Sequence, residues 1–486
     1  MMAITLADIA SITGGHFAGS SEESGVAMPS AQSAVTQSAA TGVVIDNRQI
    51  TGGELFVAIA GERVDGNKFA ANALERGAVG VLTSDRQAAL DSGATPERVI
   101  VVADPVKALA DLAREQVRRL RRTGNPDLRI VGVTGSVGKT STKDLLGELL
   151  AYRGPITAPV GSFNNEIGFP LTVLRADEHT ATLVLEMGAD EVGNIEYLTD
   201  IATPDVSVVL IVARAHLGGF GGIDKVAIAK SELVRATRPG GVVVLNNDDQ
   251  RVRAMASDAS GEVVFFSASG ANTSGVWASD TVLDDAGRAS FVLHAGQEST
   301  RVHLKLVGAH HVTNALAATA VAHVFGRDLT AIAADLAVAG PVSPHRMDVV
   351  ELGDIVMIDD SYNANPDSMR AGLDALAQIG RGRRKIAVLG AMRELGANSD
   401  AEHVAIGEYL AHVECDEAVC VGDGLEDLAT SARKAGIKVH DARDIDSASA
   451  MLDAVLRPGD VVLLKGSYST NIWQVANELK KRRGSC

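Results

Sequence analysis

A chain of 486 residues is longer than one hydrophobic core ordinarily serves, which implies two to four domains. Hydrophobic residues make up 46% and charged residues 22%, the balance of a soluble globular protein. The net charge of -16 excludes a broad nucleic-acid-binding surface, and Cys415, Cys420 and Cys486 show neither metal-ligand spacing nor a disulfide framework, which fits a reduced, cytoplasmic compartment.

The opening MMAITLADIASITGG lacks a basic start followed by an apolar core, so no signal peptide is expected. No apolar run reaches the roughly 18 residues of a membrane span, and no membrane insertion is expected. From Gly19 to Gly42 a stretch of Ser, Ala, Gly, Gln and Thr has little apolar surface to bury and predicts a mobile surface insertion. LFVAIAGERVDGNKFAANALERGAVGVLTS reads as strand, loop, helix and strand. The charged helix VKALADLAREQVRRLRR and the polar TGNPD mark a first boundary, between residues 105 and 127.

From Leu128 the pattern changes. RIVGVTG, ATLVLEM, VSVVLIV and GVVVLNN are continuous apolar runs, as expected of parallel strands covered on both faces. Residues 275 to 307 alternate as antiparallel strands would, and AHHVTNALAATAVAHVFG predicts a closing helix. After GPVSPHR, five strands (IVMID, KIAVLG, EAVCVG, IKVH, DVVLLKG) alternate with helices and predict a second doubly wound sheet. The expected fold class is α/β in three domains: a small mixed α/β N-terminal domain (1–105), a central P-loop ATPase domain with a parallel sheet (106–340), and a C-terminal Rossmann-like domain (341–486).

RIVGVTGSVGKTSTKDLLGELL is the strongest feature: strand, glycine turn, then Lys139 and Thr140 opening an amphipathic helix. Glycines let backbone N–H groups converge on phosphate oxygens, and the helix N-terminus adds its dipole. Val133 stands where the general P-loop pattern has Gly, so the match is to the tail of that motif in its strand–turn–helix context. Thr134, Gly135, Ser136, Val137, Gly138, Lys139, Thr140 and Ser141 are therefore expected to bind a nucleoside triphosphate, Lys139 at the β/γ phosphates and the Thr140 hydroxyl on magnesium. Glu186 and His216 each follow an apolar strand, at the end where ligands gather in open α/β sheets. Singly such residues are usually solvated loop residues; together, beside a P-loop, they suit one or two divalent cations. Lys230, on a probable helix, reads by itself as a surface lysine.

TGSVGKTST, SFNNEIGFPLTVL, LEMGADEVGNIEYL, AHLGGFG, AKSEL, LNNDD, GAHHVTNALAA and DDSYNANPDSM stand in the order found in the Mur ligases, and the chain resembles that family from about Val44 to about Ser469. DDSYNANP resembles the branch that adds D-alanyl-D-alanine to UDP-N-acetylmuramoyl-tripeptide; the DNPR-type motif of the tripeptide-forming branch is absent. The resemblance implies an N-terminal domain for the uridine nucleotide, ATP and two magnesium ions as cofactors, and a monomer. It implies Thr140, Glu186, His216 and a carbamoylated Lys230 as metal ligands. It further implies Asn314 at adenine, Arg346 and Asp360 reaching ATP from the C-terminal domain, and Asn164 and Asn165 on the muramoyl or peptide part. Asn363 and Asn365 are expected at the substrate, and Asn47 and Arg48 stand where a Ser-Arg pair meets the uridine nucleotide. Departures from the family pattern are Asn47 for Ser, Asn67 for His, Ile211 for Asn, Ala213 for Gly, His311 for Asn, Ala391 for Asp and Tyr468 for Arg.

The expected chemistry is an in-line attack of the tripeptide carboxylate on the γ-phosphate, then attack of the D-alanyl-D-alanine amine on the acyl phosphate. Three other readings compete: the amino-acid-adding synthetase of the same family, a folate polyglutamate ligase, and a nucleotide-binding regulator without ligase activity. The last has room in the substitutions at Ile211, Ala213, Ala391 and Tyr468, but need not keep Glu186, His216 and Lys230 together. The folate enzymes share the ATP core without such an N-terminal domain.

Overall fold

The computed structural model describes residues 1–19, 35–61, 64–214, 220–270 and 275–484. Three main sheets carry the chain, one for each expected domain, and the apolar runs read from the sequence form their strands. By density of contacts the chain divides into two compact units. One is Met1–Gly132 with Ala151–Met187 and Glu196–Asp205; the other is Val133–Leu150 with Gly188–Ile195 and Val206–Cys486.

In the first unit, β1 (Ile4–Thr5) pairs antiparallel with β3 (Ala39–Ala40). A five-stranded sheet combines β2 (His16–Phe17), β4 (Gly42–Val44), β5 (Glu54–Val57), β6 (Gly80–Thr83) and β7 (Val99–Val101) in the order β2-β7-β6-β5-β4. Only β2 runs antiparallel to its neighbour. The Ser/Ala-rich stretch is thus ordered at its end: Ala40 is buried and Ser38 accepts the Leu6 N–H. Small residues cost little side-chain entropy to order, which composition alone hides. Residues 20–34 of that stretch lie outside the described residues.

The expected charged helix is Pro105–Arg119. Asp104 caps it, Pro105 fills its first position, and Leu109, Leu112, Ala113 and Val117 are buried. Gln116 Nε2 donates to the Ala176 carbonyl at 2.6 Å, and Arg121 pairs with Asp205, whose carboxylate accepts the Ile130 N–H. The helix packs against the helices Leu6–Thr13 and Gly168–Leu174, the second of which leads to the strands β8 (Arg129–Thr134), β9 (Ile156–Thr157) and β10 (Thr182–Glu186), ordered β9-β10-β8.

In the second unit, β11 (Val206–Val209), β12 (Val242–Asn246), β13 (Glu262–Ser267) and β14 (Val276–Leu283) are consecutive parallel neighbours. β14, β15 (Arg288–Ala295) and β16 (Glu298–Val307) form the expected antiparallel meander. β13 escaped the sequence reading because EVVFFS is short and begins with a charge. The alanine-rich helix His310–Val324 is buried on nearly every face.

The last sheet contains β17 (Asp348–Leu352), β18 (Ile355–Asp359), β19 (Lys385–Gly390), β20 (Glu417–Val421), β21 (Lys438–Ala442) and β22 (Val461–Lys465). Their order is β17-β18-β22-β19-β20-β21, and all five expected strands are parallel, with β17 added as an antiparallel edge. Successive residues feed opposite cores: Ala387, Leu389 and Leu463 on one face, Ile386, Val388 and Val462 on the other. That is the doubly wound arrangement. Among the described residues no helix is long and apolar enough to cross a membrane.

Candidate functional site

Strand β8 runs into the glycine turn. Gly138 takes the left-handed conformation (φ +86°) and caps the helix Lys139–Leu149 without any side-chain hydrogen bond. A Cβ on Gly138 would lie 2.5 Å from Asn314 Oδ1, and one on Gly135 would lie 2.8 Å from Leu210 Cβ. Both positions therefore require glycine. First-turn N–H groups of a helix have no intrahelical acceptor, so this end suits an anion such as phosphate.

The loop is held largely through backbone. The Thr134 carbonyl accepts from Leu210 N at 3.0 Å, and Ser136 N donates to the Ile211 carbonyl at 2.9 Å. Ser136 Oγ accepts from Ala213 N at 2.9 Å and faces the Ala213 carbonyl at 3.1 Å. Ile211 and Ala213 depart from the family pattern, yet both meet the loop through peptide groups that any residue supplies. Lys139 Nζ curls back to the Gly135 carbonyl at 2.8 Å, over the turn it would neutralise. Val137 and Ser141 are half-buried.

Asn314 presses on Gly138 from the helix His310–Val324, its Oδ1 3.5 Å from Thr142 Oγ1 and its Nδ2 3.4 Å from His311 Nδ1. Burial, then the neighbouring His310, hold His311 well below the ordinary histidine pKa, so its ring is neutral.

Thr140 is buried and its Oγ1 accepts from Arg346 Nη2 at 3.3 Å. The segment leading to Arg346 is fixed to the same helix, since Ser343 N donates to Asp144 Oδ2 at 3.2 Å, and Asp144 pairs with the buried Lys143 at 2.6 Å. His345 and Met347, on either side of Arg346, both have positive φ (62° and 52°), uncommon for side chains of their kind. Asp359 holds His345 Nδ1 at 2.8 Å, and Asp360 Oδ1 accepts the Met347 N–H at 3.2 Å. Burial would raise the Asp359 carboxyl, but His345, Lys480 and Ser361 hold it below the usual aspartate value. Asp360 also pairs with the buried Lys465 at 2.5 Å, which in turn donates to the Asn363 carbonyl at 2.9 Å. Asp360 thus steadies the backbone beside Arg346.

Lys230 is not the surface lysine it resembles in isolation. It is 4% exposed on the helix Ile223–Arg235. Burial, then the positive charge of Lys139, pull its pKa down to about 7, with Asp190 opposing. Glu186, at the end of β10, is 1% exposed and accepts from Asn164 Nδ2 at 2.8 Å. His216 lies outside the described residues. Among the described residues no group of three or more His, Cys, Asp or Glu is gathered as a metal site.

The other expected contacts divide. Asn165 Oδ1 accepts the Ile167 and Gly168 N–H groups in the turn before the helix Gly168–Leu174, and Asn365 caps its helix through a capping box with Ser368. Asn363 is exposed, its Oδ1 taken by the Ala364 N–H. Arg48 is exposed and paired with Asp46, while Asn47 Nδ2 donates to Asn72 Oδ1 at 2.7 Å. Asn67, another departure, is buried and accepts from Thr83 Oγ1 at 2.5 Å. The Ala391 carbonyl accepts the Ser467 N–H, again a backbone contact. Sequence reasoning missed Tyr362, whose ring lies 4.0 Å from the Arg346 guanidinium carbon. Its one signal was an aromatic ring inside DDSYNANP.

A glycine-capped loop with Lys139 and Thr140, met by an arginine from the following domain, defines an ATP-using enzyme of the phosphate-loop class. Residues 133–322 match the Mur ligase middle domain, 345–468 the Mur ligase glutamate ligase domain, and 39–117 the Mur ligase family catalytic domain. The chain belongs to the Mur ligase family. It is 43% identical to the UDP-N-acetylmuramoyl-tripeptide–D-alanyl-D-alanine ligase of Mycobacterium tuberculosis, over 99% of this chain and 98% of that one. Among solved structures it resembles MurF of Acinetobacter baumannii (TM-score 0.83, 29% identity, 99% of each chain). It also resembles the MurF ligase of Thermotoga maritima in complex with ADP (TM-score 0.75, 30% identity, 91% of this chain and 98% of that one).

Proposed function

We infer that this chain is an ATP-dependent ligase that joins D-alanyl-D-alanine to UDP-N-acetylmuramoyl-tripeptide, giving the pentapeptide precursor of peptidoglycan, ADP and phosphate. The observation that carries this reading is the match over 99% of the chain to ligases of that name, on a chain that keeps the glycine-capped loop with Lys139 and Thr140. The terminal carboxylate of the tripeptide attacks the γ-phosphorus, ADP leaves, and an acyl phosphate forms. The dipeptide amine then attacks the acyl carbon, phosphate departs with the former carboxylate oxygen, and the amine proton passes to solvent. Lys139 offsets charge at the β/γ phosphates, the helix N-terminus orients them, and Arg346 adds a cation next to Thr140.

Thr140, Glu186, His216 and Lys230 fit magnesium by the chemistry of their donors: a hydroxyl, a buried carboxylate, an imidazole and, once carbamoylated, a carbamate oxygen. Magnesium, one ion or two, would spread the phosphate charge. Lys230 suits carbamoylation because a pKa of about 7 leaves a large neutral fraction. The neutral amine adds to carbon dioxide and loses one proton to water, turning a buried cation into an anion. Lys230→Ala should lose most activity and regain part of it with added acetate; full activity without acid would contradict the assignment.

The remaining roles follow the family: Asn314 toward adenine, Asn47 and Arg48 toward the uridine nucleotide, and Asn164, Asn165, Asn363 and Asn365 toward the peptide substrates. The domain limits we propose are 1–105, 106–340 and 341–486, in a cytoplasmic monomer. Phosphate release measured with a panel of amines tests the whole reading. Release should require both the UDP-linked tripeptide and D-alanyl-D-alanine; release with a single amino acid on a shorter UDP-linked peptide would favour the sister synthetase, and none with any amine a regulator.

A further inference from the structure

Arg346 sits on a shelf of aromatic rings. Its guanidinium carbon is 4.0 Å from the Tyr362 ring centroid, and Tyr362 tilts against Tyr468 at 5.5 Å. Tyr468 stacks with Trp473 at 6.2 Å, and the Trp473 ring faces His345 at the same distance. The circuit closes through backbone, because Tyr362 N donates to the His345 carbonyl at 3.1 Å. Tyr468 stands where the family carries an arginine, so an aromatic ring here replaces a second cation.

The chemistry of the shelf is specific. A guanidinium is drawn to the face of an aromatic ring by the ring quadrupole, and its flat shape stacks there. The side chain ends at Thr140, in the first turn of the phosphate helix. Stacking on the Tyr362 ring face narrows the rotamers open to the long arginine side chain to those that carry its guanidinium toward Thr140. We propose that Tyr362 is a positioning residue for the ligase reaction, keeping the Arg346 guanidinium over the phosphate end of the loop, with Tyr468 bracing its ring. This rests on the ligase reading given above.

A double-mutant cycle tests it, with kcat and KM measured for ATP and for D-alanyl-D-alanine. A cation–π contact is worth about 0.5–2 kcal/mol, so Tyr362→Leu should lower kcat by about tenfold. KM for D-alanyl-D-alanine and the melting temperature should stay unchanged, and Tyr362→Phe, which keeps the ring face, should stay within about twofold of the parent. In an Arg346→Ala background Tyr362→Leu should have little further effect, since its partner is already gone. The same fold loss in both backgrounds would overturn the proposal, as would equal losses for Tyr362→Phe and Tyr362→Leu. If Arg346→Ala turns over too slowly to time, the contrast between Phe and Leu decides. A parent chain that works only with another amine contradicts the ligase assignment but leaves the shelf testable, because every ratio is then taken with that amine.

Discussion

The phosphate loop (134–141) and the segment 359–366 both bear motifs, yet they are held in opposite ways. Peptide groups of Leu210, Ile211 and Ala213 hold the loop, and glycine supplies its shape. In the second segment side chains do the holding: Asp359 on His345, Lys480 and Ser361, Asp360 on Lys465 and Met347, Asn365 on Ser368. A motif framed by backbone can be read almost directly as chemistry, and at Ile211 and Ala213 the contacts to the loop are made by peptide groups. A motif framed by side chains mixes scaffold with chemistry.

The contrast predicts graded effects. Lys139→Ala should cut ATP turnover by roughly a thousandfold or more while leaving the melting temperature unchanged, as expected when a preorganised charge is removed from a phosphoryl-transfer site. Near-normal phosphate release would show that the loop is not the phosphate site. Gly138→Ala should cost less, on the order of a hundredfold in kcat/KM for ATP, because the loop must shift to relieve both the positive φ and the contact with Asn314. Ile211→Asn, which restores the family residue, should change turnover little, since the carbonyl at that position is what Ser136 uses.

In the segment 359–366 the balance should tilt toward stability. Asn365→Ala removes a capping box and should lower unfolding free energy by about 1 kcal/mol, read as a shift in the denaturation midpoint. If kcat/KM for D-alanyl-D-alanine stays within about twofold, the residue is scaffold. A larger fall would show that its Nδ2 meets the substrate after all.

Much of the fold was legible because strand runs such as RIVGVTG and KIAVLG are apolar throughout, and burial on both faces demands that. The helix Pro105–Arg119 was legible as a charged helix, but not its packing, because its charged face dominates its composition while Leu109 and Leu112 are what pack. Lys230 could not be read alone, since burial of a lysine is set by distant neighbours. Asn165 and Asn365 carry the same letters whether they hold a turn, cap a helix or bind a ligand. Tyr362 gave no more than an aromatic letter inside DDSYNANP, because cation–π contact needs the position of Arg346, which sequence spacing does not give.

The central claim is that this chain activates a carboxylate with the γ-phosphate of ATP. The tripeptide substrate labelled with oxygen-18 in its terminal carboxylate tests that directly, with the released phosphate analysed by mass spectrometry after a complete reaction with D-alanyl-D-alanine. One labelled oxygen should appear in each phosphate, because the acyl phosphate breaks between carbon and the bridging oxygen. Phosphate free of label, with the amide still formed, would contradict the account.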